Sequence, residues 1–113
     1  MSIIEFRNIS KAYGSCISCQ LIDLDIEQAQ IHAIVGENGA GKSTLMKILG
    51  GLVKPTTGSM KLRGALYQPD SAKEAFSQRI AFIHQHFVLA RHMTALENIL
   101  LSYFSINRCH TKK

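Results

Sequence analysis

The fold is decided by one stretch of the sequence, which fits the pattern G-x-x-x-x-G-K-[ST] and ends with an added threonine: Gly36, Glu37, Asn38, Gly39, Ala40, Gly41, Lys42, Ser43 and Thr44. Gly36 and Gly41 allow backbone angles that a side chain would forbid, so consecutive N–H groups can turn inward around an anion. A helix that begins here points the positive end of its dipole at the same anion. The stretch therefore predicts a loop that binds phosphate groups.

Two side chains of this stretch indicate which phosphates are bound. Lys42 brings an ammonium group to the β- and γ-phosphates of a nucleotide, and the Ser43 hydroxyl is a ligand for Mg²⁺. The alternative is a glycine-rich turn before an ordinary helix. An apolar run precedes the loop and an amphipathic helix follows it, and this context favours a loop that binds a nucleotide and Mg²⁺.

The remaining pattern predicts strands that alternate with helices. Runs of alternating or continuous apolar residues predict strands at Ile3–Asn8, Leu21–Glu27, Ile31–Val35, Ser59–Leu62 and Ile80–Ile83. The Ile31–Val35 run suits a buried strand. A helix from Lys42 has Leu45, Met46, Ile48 and Leu49 on one side and ends at Gly50-Gly51. The capping boxes Ser71–Glu74 and Thr94–Glu97 predict two more helix starts. This order indicates an α/β domain whose sheet is parallel for at least part.

Composition and charge are those of a globular protein of modest size. The chain has 113 residues, of which 46% are hydrophobic and 19% charged. It shows neither an apolar run of the ~18 residues that a membrane span needs nor a basic, apolar leader, so we expect a cytoplasmic protein. The net charge is +5, but three of its 13 basic residues lie in the last twelve, leaving ten against eight acidic residues. We expect no nucleic-acid partner.

Cysteines and histidines offer only a weak case for a metal site. Cys16 and Cys19 have the spacing of half a zinc site, but Cys109 and His110 are adjacent, which is poor spacing for the other half. We interpret Cys16 and Cys19 as reduced thiols in or beside a loop. Three histidines are interpreted as loop residues because no carboxylate or cysteine accompanies them at suitable spacing: His84, His86 and His92.

The segment Gly36–Leu49 resembles the Walker A segment of ABC (ATP-binding cassette) ATPases, most closely those of importers for simple sugars and nucleosides. The resemblance covers nearly everything from Ile4 to Leu101. It implies an α/β fold of the P-loop NTPase type, here the N-terminal half of an ABC ATPase domain with a mixed sheet, and incomplete. It also implies that the whole loop from Gly36 to Thr44 contacts ATP.

Two further segments carry the resemblance. Ser10–Gly14 is similar to the aromatic loop of the family, which implies that Tyr13 stacks on adenine. Ile83–Phe87 is similar to the Q-loop, which implies that Gln85 reaches Mg²⁺ and the attacking water, and that this region contacts the membrane permease subunits.

The resemblance also indicates what is missing. No Walker B strand ending in Asp-Glu and no Leu-Ser-Gly-Gly-Gln signature occurs in the sequence after Gln85. We expect residues 1–101 to form a partial ABC ATPase domain and residues 102–113 to be a basic tail outside it, as in a truncated or frame-shifted reading of a longer gene. Such a chain lacks the acid that activates water, so we expect it to be inactive alone. If it hydrolyses ATP, Asp70 or Glu74 is the first acid to test.

Four functions remain open at this point. The first is the ATP-binding subunit of a sugar or nucleoside importer, peripheral on the inner face of the cell membrane, with permease subunits and a second ATP-binding domain as partners. The second is a nucleotide-binding fragment or pseudogene product without turnover. The third is a non-transport ABC ATPase, in DNA repair or translation. A GTPase or kinase is the fourth, although the sequence has no Asn/Thr-Lys-x-Asp motif for guanine.

The aromatic loop yields a test in which the ring of Tyr13 matters and its hydroxyl does not. Tyr13→Phe should bind ATP nearly as tightly as the wild type, because the stacking face is kept. Tyr13→Ala should lose about 1 kcal/mol of binding free energy, measured by titration calorimetry. If Tyr13→Ala binds ATP as tightly as the wild type, the assignment of the aromatic loop is wrong.

Overall fold

A computed structural model describes residues 1–37, 39, 41–84 and 89–107, the last six of them by their backbone alone. These residues form seven elements: β1 (Ser2–Tyr13), β2 (Cys16–Glu27), α1 (Lys42–Leu49), β3 (Thr57–Leu62), β4 (Ala65–Tyr67), α2 (Ala72–Ser77) and α3 (Ala95–Asn107). The chain divides into two compact units, residues 1–82 and 83–113, and each is described by itself.

The first unit is built on a four-stranded antiparallel sheet in the order β2-β1-β3-β4. Strand β1 is central, because Phe6 lies opposite Leu24 of β2 on one side and Met60 of β3 on the other. A tight turn at Gly14, where φ is 60°, joins β1 to β2. The long β1–β2 hairpin is therefore the frame on which the rest of the unit is held.

A bulge in β1 keeps its apolar side chains on one face. Strict alternation would follow Ile4 and Phe6 with Asn8 toward the core, but Asn8 has a φ of 52° and the register shifts between Phe6 and Ile9. The extra residue turns Ile9 inward, where it is fully buried like Phe6. Asparagine suits this position because it tolerates left-handed backbone angles better than other side chains do.

One hydrophobic core joins the four strands to α1 and α2. Helix α1 contributes Leu45 and Ile48, spaced three residues apart on one face. The Tyr67 hydroxyl on β4 donates a hydrogen bond of 2.8 Å to the Leu49 carbonyl, and this bond ties the end of α1 to the sheet. Ten buried residues make up the core: Ile4, Phe6, Ile9, Cys19, Leu45, Ile48, Met60, Leu62, Tyr67 and Ala75.

The second unit contains α3. Its start is a reciprocal capping box, since the Glu97 N–H donates to Thr94 Oγ1 at 3.2 Å and the Thr94 N–H donates to the Glu97 carboxylate at 2.7 Å. The Asn98 side chain closes the preceding turn by accepting a hydrogen bond from the Ala90 N–H at 2.9 Å. In the part of the chain that the structure describes, no helix is long and apolar enough to cross a membrane.

Several of the sequence predictions are confirmed. The predicted strand Leu21–Glu27 lies within β2. One of its faces packs against the core through Ile22 and Leu24, and the other is exposed to solvent, as at Asp23. The predicted helix from Lys42 is α1. Both capping boxes lie where they were predicted, and that of α2 has the Glu74 N–H donating to the Ser71 hydroxyl at 3.1 Å. These elements depend on local patterns.

Two predicted strands are wrong. Ile31–Val35 and Ile80–Ile83 belong to no strand, and Ile31 and Val35 are 102% and 90% exposed instead of buried. A buried strand needs neighbours that pair with both of its edges, and in the described residues the sheet ends at β2 and β4. The sheet that is present is consequently antiparallel, without the parallel part that was expected. The short strand β4 was not predicted.

The contribution of α1 packing to the free energy of unfolding can be measured by removing one methylene group. Ile48→Val removes one methylene from a fully buried side chain and should lower the free energy of unfolding by about 0.5–1.5 kcal/mol. The matched control is Ile17→Val on β2, where the side chain is 60% exposed and the same change should stay within about 0.5 kcal/mol. Urea denaturation followed by circular dichroism measures both, and equal effects would contradict the packing described for α1.

Candidate phosphate-binding site

The N-terminal end of α1 presents backbone N–H groups without a side-chain cap. Gly41 occupies the N-cap position, with a φ of 90°, and no side chain accepts a hydrogen bond there. The first helical hydrogen bond runs from the Leu45 N–H to the Gly41 carbonyl at 3.0 Å, so the N–H groups of Lys42, Ser43 and Thr44 come before it. This end of the helix also carries no acidic side chain in its first turn. The arrangement is suited to an anion.

The loop that leads into α1 depends on glycine at two positions. Gly39 has a φ of 86° and Gly41 a φ of 90°, both in the region that side chains rarely adopt. Glycine is required at residue 41 for a second reason, because a Cβ atom there would lie 2.3 Å from the Ser18 carbonyl oxygen. Two predicted contacts of the loop, Asn38 and Ala40, lie outside the described residues.

The Lys42 side chain lies across the loop. Its ammonium group donates hydrogen bonds to the carbonyl oxygens of Gly36 and Glu37. These acceptors are neutral, whereas a phosphate oxygen is charged and forms a stronger hydrogen bond with an ammonium group. Lys42 can therefore exchange the carbonyls for a phosphate without leaving the loop. The Ser43 side chain beside it is exposed at the same helix end.

Strand β2 forms a wall against this loop. The hydroxyl oxygens of Ser18 and Thr44 are 2.6 Å apart, and the Cys19 Sγ donates to the Gly41 carbonyl oxygen at 3.4 Å. Burial raises the pKa of the Cys19 thiol, which keeps it protonated and able to donate. The sequence did not predict that Ser18 and Cys19 are neighbours of the loop, and no motif could have indicated these contacts.

The two cysteines of strand β2 lie beside loops. Cys16 is exposed and directly follows the turn at Gly14, and Cys19 is in the core beside Gly41 of the phosphate-binding loop. Both are free thiols, as interpreted. Among residues 1–37, 39, 41–84 and 89–107, no three His, Cys, Asp or Glu side chains are grouped to hold a metal ion. Cys109 and His110 lie outside the described residues.

Tyr13 lies at the same end of the sheet as the loop. It ends β1 opposite Cys16, and β2 runs from Cys16 to Ser18 in two residues, a rise of about 7 Å. The Tyr13 ring is half exposed, and the Lys11 Nζ lies 5.1 Å from its centroid. A flat aromatic ring near a loop that is suited to an anion is itself suited to the base of a nucleotide.

A cavity of about 330 Å³ lies beside the loop and is lined by β2, residues 33–35 and the start of α1. Apolar side chains form most of its wall, and Asp23 and Lys42 are its charged members. Asp23 Oδ1 accepts a hydrogen bond of 2.6 Å from the Asn8 N–H. It is the acidic residue that shares a cavity with the lysine of the loop.

The acids Asp70 and Glu74 are not near the loop. Asp70 pairs with Lys54 at 2.7 Å, and Glu74 belongs to the cap of α2. A Cβ atom at Gly51, just after the end of α1, would lie 2.4 Å from the Ser71 carbonyl oxygen. This contact places the start of α2 at the opposite end of α1 from the phosphate loop.

The remaining candidates belong to the second unit. Gln85, assigned to Mg²⁺ and water, and His86 lie outside the described residues. His84 is exposed, as is His92 in the segment that precedes α3. Both of these histidines lie in irregular segments, as interpreted.

Comparison with known proteins identifies the family. The ABC transporter family profile matches residues 19–113. The nucleoside import ATP-binding protein NupA of Lactococcus lactis subsp. cremoris is 40% identical over 100 residues, which are 88% of this chain and 20% of NupA. The ribose import ATP-binding protein RbsA of Streptococcus agalactiae serotype Ia is 46% identical over 98 residues, or 87% of this chain and 20% of RbsA.

The fold is also found in a solved structure. MJ1267, an ATP-binding cassette of an ABC transporter in its ADP conformation, superposes with a TM-score of 0.83 at 25% identity, covering 100% of this chain and 46% of MJ1267. The chain spans about a fifth of the length of the two curated relatives. The α/β fold of an ABC ATPase, in part, is thus confirmed, and the chain belongs to the ABC transporter family.

Proposed function

We propose that the chain provides the ATP-binding segment of an ABC-type importer for sugars or nucleosides, in which ATP binding and hydrolysis drive solute uptake. The observation that carries this proposal is the glycine-capped N-terminus of α1 with the Lys42 ammonium lying across its loop. Backbone N–H groups, a helix dipole and the Lys42 cation converge there, and together they match a polyphosphate. The Tyr13 ring at the same end of the sheet suits the adenine base.

Within this proposal each loop residue has a role. The backbone from Gly36 to Thr44 surrounds the phosphates, including at Asn38 and Ala40, and Lys42 neutralises the β- and γ-phosphates. The Ser43 hydroxyl is an exposed oxygen next to Lys42, and oxygen ligands are those that Mg²⁺ prefers, so these residues fit the ion. When bound, Mg²⁺ neutralises charge on the phosphates. Gln85 is the second proposed contact to Mg²⁺.

The relatives support the proposed transport role. NupA and RbsA are named as ATP-binding proteins of nucleoside and ribose import. By analogy with them we propose permease subunits as partners, contacted through the region around Gln85, and a second ATP-binding domain. The chain then lies on the inner face of the cell membrane as a peripheral subunit.

A second candidate, nucleotide binding without turnover, rests on the acids of the chain. Hydrolysis needs a carboxylate that positions water at the γ-phosphate. Asp70 and Glu74 lie at the far end of α1, and Asp23 accepts a hydrogen bond from the Asn8 N–H. We propose that the 113-residue chain by itself binds Mg-ATP and does not turn it over, and that hydrolysis belongs to the longer assembly.

ATP binding should depend on Lys42. Lys42→Ala removes the charge that faces the phosphates and should weaken ATP binding at least about tenfold, or 1.4 kcal/mol, by titration calorimetry. The matched control is Lys47→Ala, an exposed lysine in the last turn of α1, which should bind ATP like the wild type. Gly41→Val should weaken binding at least as much, because its side chain strains the backbone and meets the Ser18 carbonyl. Equal affinity of wild type and Lys42→Ala would exclude this site.

Turnover should separate the two candidate functions. Phosphate release by the purified chain in Mg-ATP should equal that of Lys42→Ala, because Asp70 and Glu74 lie at the far end of α1 and the Asp23 carboxylate accepts the Asn8 N–H. A rate that depends on Lys42 would contradict binding without turnover. In that case Asp23→Asn should abolish the rate if Asp23 is the acid that acts from the shared cavity, whereas Asp70→Asn should leave it unchanged.

A further inference from the structure

We propose that Ser18 is a positioning residue of the ATP site, acting through the Thr44 hydroxyl. This inference rests on the proposed ATP binding at the Gly36–Thr44 loop. Ser18 lies on β2 between Cys16 and Cys19, outside the phosphate-binding loop and the segments similar to the aromatic loop and the Q-loop, and Thr44 lies in the first turn of α1. Their hydroxyl oxygens are 2.6 Å apart, which is a short O–H···O hydrogen bond.

The hydrogen count of this pair allows the bond to run in either direction. Each hydroxyl has one hydrogen and can also accept, and the contact uses one of the two hydrogens. If Thr44 donates to Ser18, its only hydrogen is used. If Ser18 donates to Thr44, the Thr44 hydrogen remains for another acceptor. The phosphate oxygens of ATP only accept, so a nucleotide in the loop favours the arrangement in which Ser18 donates.

Ser18 thereby makes Thr44 a better donor. A hydroxyl oxygen that accepts one hydrogen bond is polarised and donates a stronger one, above all toward a charged oxygen. Without Ser18, the half-buried Thr44 oxygen would lack this donor at the moment when its hydrogen points to phosphate. The hydroxyl of Ser18 is therefore expected to contribute to ATP affinity without touching the nucleotide.

The backbone fixes Ser18 independently of its hydroxyl. A Cβ atom at Gly41 would lie 2.3 Å from the Ser18 carbonyl oxygen, so strand and loop are already in close approach there. The neighbouring Cys19 is buried and donates to the Gly41 carbonyl oxygen. Removing the Ser18 hydroxyl should leave these contacts in place, and comparison with a Thr44 variant separates its bond to Thr44 from its interaction with the Cys19 thiol.

A double-mutant cycle on Mg-ATP affinity tests the proposal. The four proteins are the wild type, Ser18→Ala, Thr44→Val and the double variant, measured by titration calorimetry. Ser18→Ala should weaken Mg-ATP binding about three- to tenfold in the wild-type background. In the Thr44→Val background, which has no hydroxyl to orient, Ser18→Ala should change Mg-ATP affinity by less than about twofold. Ser18→Thr keeps the hydroxyl and should retain wild-type affinity.

Two controls separate the hydroxyl from general effects on the strand. Ser59→Ala removes a hydroxyl from a half-buried serine on β3 and should leave the affinity unchanged. Adenosine, which has no phosphate, should bind wild type and Ser18→Ala equally. If Ser18→Ala does not fold, Ser18→Cys can replace it, because a thiol is a weaker donor of similar size. Ser18→Cys should show a smaller loss of Mg-ATP affinity.

The outcomes distinguish this proposal from the proposed function. If ATP binding depends on Lys42 but Ser18→Ala has no effect, the role of Ser18 is refuted and the ATP site remains. Equal losses in both Thr44 backgrounds would show that Ser18 only supports the strand, and would refute the proposal as well. If the wild-type chain does not bind ATP, or Lys42→Ala binds it equally, the proposed function fails and the role of Ser18 fails with it.

Discussion

The close approach of the β2 backbone to the phosphate loop is the constraint on which the rest of this structure depends. The Ser18 carbonyl oxygen occupies the space that a side chain at residue 41 would need, with 2.3 Å to the position of a Cβ atom. Only glycine satisfies this position, where the backbone also adopts a positive φ. Steric exclusion and backbone geometry therefore select the same residue, and the loop cannot move away from the sheet without losing the contact of Cys19 with Gly41.

The sheet can hold that approach because β1 is paired on both of its sides. An edge strand alone would position a loop poorly, but β2 pairs with β1 along most of its length, and β1 also pairs with β3. The bulge at Asn8 keeps Phe6 and Ile9 in the core on either side of it. The packed core thus fixes β1, β1 fixes β2, and β2 fixes the loop. The same hairpin carries Tyr13 toward the loop, so the proposed base and phosphate contacts share one frame.

Elements that depend on interactions between residues close together in the chain could be predicted from the sequence, and those that depend on distant residues could not. Helix α1 and both capping boxes depend on residues within a few positions, and the structure has them where they were expected. In the loop, a positive φ is found at Gly41 as expected, but the second one is at Gly39 and not at Gly36. A strand at Ile31–Val35 would need partner strands elsewhere in the chain. The apolar residues of this segment do not indicate whether such partners pair with it. The contact of Ser18 with Thr44 joins residues 26 apart, and a serine in a strand gives no local sign of it.

The two ends of α1 are stabilised in different ways, and this difference separates stability from binding. At its C-terminal end the Gly50 N–H donates to the Met46 carbonyl, and the Tyr67 hydroxyl satisfies the Leu49 carbonyl. Its N-terminal end has neither a side-chain cap nor an acidic residue. A helix of eight residues is about 12 Å long and would not be stable alone, so anchoring at one end and by Leu45 and Ile48 is needed to hold it. Because this anchoring uses side chains and carbonyl groups, the N–H groups of Lys42, Ser43 and Thr44 remain available to an anion.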